Sequence, residues 1–401
     1  MNWPQHTVEQ VAWKTAVDAQ DRGGRRPPIE DRMLAEISVS IPPLIAELDP
    51  QLDRPTREAV EEAQIAAVRL DASGGPHLAA LSGFLLRSES VASSKIERIN
   101  PDPAESAKAF AGIEAGRDAR LVAAAATAVT SLINSPRPLD PGAIKEAHRV
   151  LLSNDPSQAN ELGQYRDVQN WIGGSDFSPR NALYVPPPAG LVESLMDDLT
   201  RFAARTDFGA LAQAAVLHAQ FESIHPFTDG NGRIGRALIN TLLRHRNVTN
   251  MVVVPVASVM LADVDDYFNQ LGRYREGDAN AFIVYLARAL VAACDAAEES
   301  ARALADLPER WLDAARPRAK SSAALLIEVL AASPVVTSAS AGQLIGTTPK
   351  ATLGGLDQLE SAGVLTEITG NGRDRVWVAH DVLDEMDRLD ERIGKRQRPT
   401  A

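Results

Sequence analysis

A mainly α-helical fold is what this sequence predicts, and three observations predict it. Alanine, leucine and charged residues dominate, while runs of β-branched residues are rare. Segment after segment spaces its apolar residues three or four apart, as Leu217, Phe221 and Ile224 are, which is the signature of a helix face. At 401 residues the chain is long enough for two or three domains and a sizeable core. No internal repeat or extended low-complexity tract interrupts it.

Taken in order, residues 1–115 read as an N-terminal helical region with a Pro/Arg-rich loop at Gly23-Gly-Arg-Arg-Pro-Pro28. Its last helix is expected over residues 78–99. Residues 116–305 read as a core with helices over 121–132, 143–152, 191–205, 211–224 and 282–305, and another from Arg233 onward, where Ile234, Leu238 and Leu242 have helical spacing. Between Tyr165 and Pro188 the pattern breaks into glycines, prolines and a short β-like run. Arg316-Pro-Arg318 marks a linker. Residues 320–395 follow a different grammar: short helices over 323–330, 340–345 and 349–361, then Val364–Ile368, a turn Thr369-Gly-Asn-Gly-Arg373 and Arg375–Val378 as a β-hairpin. Three helices and a hairpin predict a winged helix-turn-helix, whose third helix would contact DNA. That helix carries Lys350 as its one base, opposed by Asp357 and Glu360, so a protein-interaction or structural role is the better expectation.

Composition narrows the function classes. One cysteine, Cys294, excludes an internal disulfide framework and fits a reducing compartment. Met1-Asn-Trp-Pro-Gln-His lacks the basic and apolar regions of a signal peptide, and no apolar stretch is expected to reach the ~20 residues of a membrane span. A cytoplasmic protein without a membrane role is the expectation. The net charge of −12 argues against general affinity for nucleic acid or acidic membranes.

The densest chemistry lies in His225-Pro-Phe-Thr-Asp-Gly-Asn-Gly-Arg-Ile-Gly-Arg236, between two predicted helices. Pro226 steers His225 out of the helical region, so the preceding helix should end there and leave the imidazole at a loop mouth. Gly230 and Gly232 let backbone approach a ligand closely, and amides before a helix N-terminus form an anion nest. Asp229 is a hard oxygen donor suited to Mg²⁺, which takes one or two carboxylates plus phosphate oxygens. Arg233 and Arg236 lie three apart on one helix and can face one ligand. His225 titrates near neutrality and can accept a hydroxyl proton. The set suits a polyphosphate with its metal beside a hydroxyl. It is not a Walker A loop, since no Gly-Lys-Ser/Thr follows, and it is not a zinc site, since His218 and His225 are seven apart. Phe227 reads as an anchor that fixes the loop, and His148 and His218 read as packed or hydrogen-bonded histidines.

At every defining position the run from His225 to Arg236 resembles the signature of the Fic family, whose members are mostly protein adenylyltransferases. Two further segments carry the resemblance. Gln169-Asn-Trp-Ile-Gly-Gly174 with Asn181-Ala-Leu-Tyr-Val-Pro-Pro-Pro188 is similar to the family's flap, a hairpin that holds the target segment; Trp171 is read as support beneath it. Ser93-Ser-Lys-Ile-Glu97 resembles the inhibitory helix motif, in which Gly or Asn follows the glutamate; here Arg98 does. The resemblance spans roughly residues 30–395 in arrangement and is specific at these three segments. It implies a mainly α Fic-type core with a small β-hairpin flap beside the winged-helix unit, and transfer of AMP from Mg-ATP to a Ser, Thr or Tyr hydroxyl of a protein. His225 would be the base, Asp229 the metal ligand, and Asn231 with the amides of Gly230 and Gly232 the stabilisers of the α-phosphate. Arg233 would grip the β-phosphate and Arg236 the γ-phosphate. Phe227 belongs to the nucleotide-binding loop, and Tyr267, with Asn269, falls where the family contacts adenine. Leu183, Tyr184 and Val185 would present the target, while Glu97 and Ser93 would block Arg236. The implied partners are ATP and a protein substrate, with the chain itself among the candidates through self-modification, and a homo-oligomer as an open arrangement. A DNA-binding regulator with a vestigial core and a transferase using another nucleotide donor are the competing readings.

Overall fold

The computed structural model describes residues 3–15, 26–73, 75–135, 139–369 and 375–397. The chain opens with strand β1 (Thr7–Ala12), a short helix α1 (Ile29–Arg32) and strand β2 (Glu36–Ile41). The strands pair antiparallel from Thr7 with Ile41 to Ala12 with Glu36. This corrects the expectation of helix throughout residues 1–115. The signal was the alternation of Ile37, Val39 and Ile41, of which Ile37 and Val39 point inward and are buried. Much of the Pro/Arg-rich loop at 23–28 lies outside the described residues.

Helices follow: α2 (Arg54–Ser73), α3 (Leu78–Ile96), α4 (Pro103–Phe110), α5 (Arg117–Ile133), α6 (Pro141–Leu152) and α7 (Val192–Ala203). Caps set several starts. Asp140 stands before α6 with Pro141 at the first helical position, and its carboxylate accepts from the Ala143 N–H at 2.7 Å. The centre is α8 (Ala210–Ile224), buried on every side. The helix was expected; its all-round burial was not, because Gln213, Gln220, Glu222 and Ser223 look like a wet face. Core partners satisfy several of them: Gln213 Nε2 donates to the Phe202 and Arg205 carbonyls, and Gln220 Nε2 to that of Pro43.

Against α8 pack α9 (Asn231–His245), α11 (Val264–Arg275) and α12 (Ala279–Ala315), while α10 (Val256–Ala262) lies against α3 and α12. Contrary to the sequence expectation, α12 is long and apolar enough to cross a membrane by length and composition. Its apolar residues, Phe282, Leu286, Leu290 and Ala297 among them, are buried against the rest of the core, which makes it a central strut. It runs past residue 305 and ends at Arg316, in a left-handed conformation where the linker was expected.

Beyond the linker come α13 (Ser322–Leu330), β3 (Val335–Thr337), α14 (Ser338–Ile345), α15 (Pro349–Ser361), β4 (Thr366–Glu367), β5 (Val376–Val378) and α16 (His380–Gln397). The three expected helices and the paired strands are present, and β3 adds an edge to give the antiparallel order β3-β5-β4. The turn at 370–373 falls outside the described residues. Helix α16, which the sequence reading did not foresee, packs back on α12, α10 and α3, so this unit shares the core.

Candidate active site

The last turn of α8 delivers His225. Its N–H closes the helix on the Phe221 carbonyl at 2.9 Å, and its backbone turns left-handed, φ 50° and ψ 61°. The expectation that the helix stops here is met, through a conformation non-glycine residues seldom adopt. The imidazole is half-buried. Burial first, then the nearby cations Arg166 and Arg275, push its pKa down to about 3, so the ring is neutral at physiological pH.

The loop that follows is closed by side chains. Asn231 Oδ1 accepts from the Phe227 N–H at 2.8 Å, while its Nδ2 donates to the Phe227 carbonyl at 2.7 Å. The Asn231 side chain thus first of all closes the loop, and one Nδ2 hydrogen remains beside its backbone N–H for a ligand. Phe227 is wholly buried and stacks on His148, with ring centroids 3.8 Å apart, so it is an anchor, not a ligand contact. His148 Nδ1 accepts from the Gly163 N–H at 3.0 Å, which puts the proton on Nε2, and Nε2 donates to the Asp229 carbonyl at 3.0 Å. Burial pushes the His148 pKa down to about 4.

Gly230, at φ +79°, turns the chain into α9, whose first-turn amides have no partner within the helix. Beside that N-terminus lies Arg233, nearly buried. Its Nη2 stands 3.4 Å from both oxygens of the half-exposed Asp229 carboxylate, while its Nε and Nη1 have no hydrogen-bond partner among the described residues. Buried donors left unpaired are uncommon and mark a place where an anion would be welcome.

Arg236, one turn on, is engaged by α3 through Nε and Nη2. Its Nε donates to Ser93 Oγ at 2.8 Å, and its Nη2 donates to the Ser93 carbonyl at 2.9 Å and to Glu97 Oε1 at 2.7 Å. Burial would lower its pKa, but the Glu97 charge holds it above the usual guanidinium range. Glu97 caps α3 and lies so close to Gly232 that a Cβ there would sit 2.0 Å from Glu97 Oε1. Arg98 then adopts φ 61° while the Ile99 N–H reaches back to the Ser94 carbonyl. A helix terminus of this shape favours Gly or Asn at the left-handed position, and here Arg98 occupies it. Behind Arg236, Glu222 is buried with Oε1 unpartnered, and burial raises its pKa to about 7.

The remaining sequence assignments are distributed differently. Tyr267 is buried with its hydroxyl 2.9 Å from His218 Nε2 and its ring beside Tyr285, so it packs between α8 and α12 and is not an open adenine platform. The expected flap hairpin is reduced to a single β-bridge, Ile172 with Tyr184. Tyr184 is an anchor: its hydroxyl donates to the Ser223 carbonyl at 2.7 Å and the Arg275 guanidinium lies 3.5 Å over its ring. Leu183 is 82 % exposed and presents outward, and the Val185 carbonyl accepts from the Ser40 N–H of β2. Trp171 braces the flap through its indole N–H to the Ser175 carbonyl and an edge contact with Trp13. Sequence reasoning missed Arg166 and Asn170, which hydrogen-bond to the carbonyls of the loop.

A profile of the Fic/DOC family matches residues 138–243, the stretch holding the flap, α8, the loop and most of α9. The chain carries a Fic domain. Over 156 residues it is 31 % identical to a protein adenylyltransferase Fic of Nematostella vectensis, covering 38 % of this chain and 33 % of that protein. Over 147 residues it is 33 % identical to protein adenylyltransferase fic-1 of Caenorhabditis elegans, covering 36 % and 26 %. The similarity thus takes in a third or less of these curated relatives. A crystal structure of a Fic family protein from Desulfovibrio desulfuricans G20 superposes with a TM-score of 0.55 at 20 % identity, covering 82 % of this chain and 97 % of that one, so the Fic fold is shared well beyond the loop.

Proposed function

We propose that this protein transfers AMP from ATP to a Ser, Thr or Tyr hydroxyl of a protein, and that α3 holds it in an inhibited state. The observation that carries the reading is the pair of unpartnered Arg233 donors at the N-terminus of α9, in the same loop as a neutral imidazole. The names of the relatives support it. The target oxygen attacks the α-phosphorus, the bond from that phosphorus to the bridging oxygen breaks, and pyrophosphate leaves. His225 takes the hydroxyl proton. The first-turn amides of α9 and Arg233 stabilise charge on the phosphates, and donors aligned in advance act without reorganisation. Leu183, standing out from the flap, is the side chain that meets the target.

Among the described residues no group of three or more His, Cys, Asp or Glu could hold a metal. One half-exposed carboxylate does fit Mg²⁺ shared with a nucleotide, since that ion keeps few protein ligands. Asp229 would hold it, and the ion would neutralise phosphate charge.

Inhibition follows from the Arg236 contacts. A guanidinium satisfied by Glu97 and Ser93 is not free for a γ-phosphate, and the Glu97 charge repels one. A DNA-reading role for the C-terminal unit gains no support. Its Arg375 lies 2.7 Å from Glu367, 3.4 Å from Glu360 and 3.8 Å from Asp357, and is neutralised by them. We read this winged-helix unit as a brace on α3.

The deciding experiment incubates Glu97→Gly protein and a protein extract with ATP, UTP and CDP-choline, each labelled at the transferred group. Protein-bound label from α-labelled ATP is the expected result. Label from another donor alone, or none at all, would overturn adenylyl transfer.

A further inference from the structure

Arg166 is 2 % exposed, and its side-chain partners are carbonyl oxygens, not carboxylates. Nε donates to the His225 carbonyl at 2.9 Å, Nη1 to that of Val168 at 3.0 Å, and Nη2 to those of Pro187 at 2.6 Å and Ile224 at 3.4 Å. Its backbone N–H donates to the Pro226 carbonyl at 2.9 Å. A buried cation with no carboxylate beside it is costly to desolvate, and burial lowers its own pKa to about 10. Cores keep such groups where geometry needs them. Two features here need holding: the left-handed backbone of His225, which is rare for a residue with a side chain, and the two ends of a flap that has only one β-bridge of its own.

We propose that Arg166 is a positioning residue that fixes His225 and both ends of the flap to one another, setting where the target hydroxyl lies relative to the imidazole. Val168 begins the flap and Pro187 ends it, while Ile224, His225 and Pro226 lead into the loop. One planar guanidinium with the adjoining N–H therefore ties together three chain segments that carry the base and the target-presenting Leu183. Lysine could not replace it, because an ammonium cannot reach carbonyls on three sides in one plane. Asn170 Nδ2, 2.9 Å from the Phe227 carbonyl, continues the same bracket. The Arg166 charge also contributes to keeping the imidazole unprotonated, together with Arg275 and against Asp229. The kinetic part of the inference rests on the proposed role of His225; the bracket itself does not.

The test compares Arg166→Lys and Arg166→Met in the full-length Glu97→Gly protein. Three readouts are needed: kcat and KM for ATP, hydrogen exchange of the amides of residues 168–187, and the NMR titration of the His225 ring. Arg166→Lys should lower kcat ~10²-fold, the scale of a small misplacement of reacting groups, with KM for ATP changed less than about threefold. Flap amides should exchange faster. The His225 ring should titrate low in Arg166→Lys and higher in Arg166→Met, which removes the charge. If Arg166→Met fails to fold, Arg166→Lys alone decides. A folded Arg166→Lys with unchanged kcat and unchanged flap exchange would overturn the proposal. If Glu97→Gly transfers nothing from any nucleotide, adenylyl transfer has failed instead, and exchange and titration still judge the bracket.

Discussion

Arg233 and Arg236 lie one turn apart on the same helix, and the structure treats them in opposite ways. Arg236 faces α3, where Ser93 and Glu97 take up its Nε and Nη2 donors. Arg233 faces the loop, pairs with the Asp229 carboxylate at 3.4 Å, and leaves two buried donor atoms unpaired among the described residues. Residue type and helix position do not separate them; their neighbours do. One region of the site is closed by the chain itself, and the other waits for an anion. If α3 inhibits as proposed, the inhibition is incomplete: nucleotide would still find Arg233 and the amides, but without the arginine that would align it.

The largest effect separates chemistry from grip. With both arginines untouched, His225→Ala in a Glu97→Gly background should lower transfer ~10²–10⁴-fold, the usual worth of a general base, with ATP affinity unchanged by calorimetry. Retained transfer would remove the imidazole from the reaction.

Next comes the carboxylate behind the engaged arginine. Glu222 has a folded pKa of about 7, raised by burial above its ordinary 4.5. The folded state therefore binds the extra proton between those values, and stability falls as pH rises through that window, by at most ~1.4 kcal/mol per pH unit. Glu222→Gln should be more stable than the parent protein at pH 8 and show no such gain at pH 4.5. Equal differences in denaturation midpoint at both pH values would show that the carboxylate is not protonated in the fold.

The asymmetry between the arginines has its own test. Arg233→Ala in the otherwise unaltered protein should weaken ATP binding ~10–100-fold, the cost of losing a charged hydrogen bond. Arg236→Ala should change it less than about threefold, because that side chain is already engaged, and only in the Glu97→Gly protein should its loss match that of Arg233. Equal losses in the unaltered protein would abolish the distinction. The smallest effect concerns the end of α3. Arg98→Gly should stabilise the protein by about 1 kcal/mol, by relieving a left-handed non-glycine, and should lower basal transfer. Destabilisation by this change would mean that Arg98 makes a contact worth more than its strain.

How much of this was legible beforehand follows from what each feature rests on. The loop was legible because its chemistry needs particular residue types at fixed spacing. The Glu97–Arg236 pair was legible only through the resemblance, since 139 residues separate its partners. Helices with a strong apolar period were found. α8 was found but misjudged, because polar side chains bonded inside a core look like a solvated face. β1 and β2 were missed, since six residues of alternation are a weak signal beside a helical composition. The loop-closing role of Asn231 was not legible, because an amide serves a phosphate or a backbone equally well, and only geometry shows which bonds it makes. Arg166 was invisible for a similar reason: its partners are backbone carbonyls, which leave no trace in residue identity.

The most direct measurement of the central claim is the transfer of label from α-labelled ATP to protein, side by side, for the unaltered chain, Glu97→Gly and Glu97→Gly with His225→Ala. If Glu97 withholds Arg236 from the nucleotide, the first should label feebly, the second roughly 10²-fold more, and the third at background. Equal labelling of the unaltered chain and Glu97→Gly would contradict the account and leave Glu97 as the ordinary acidic end of a helix.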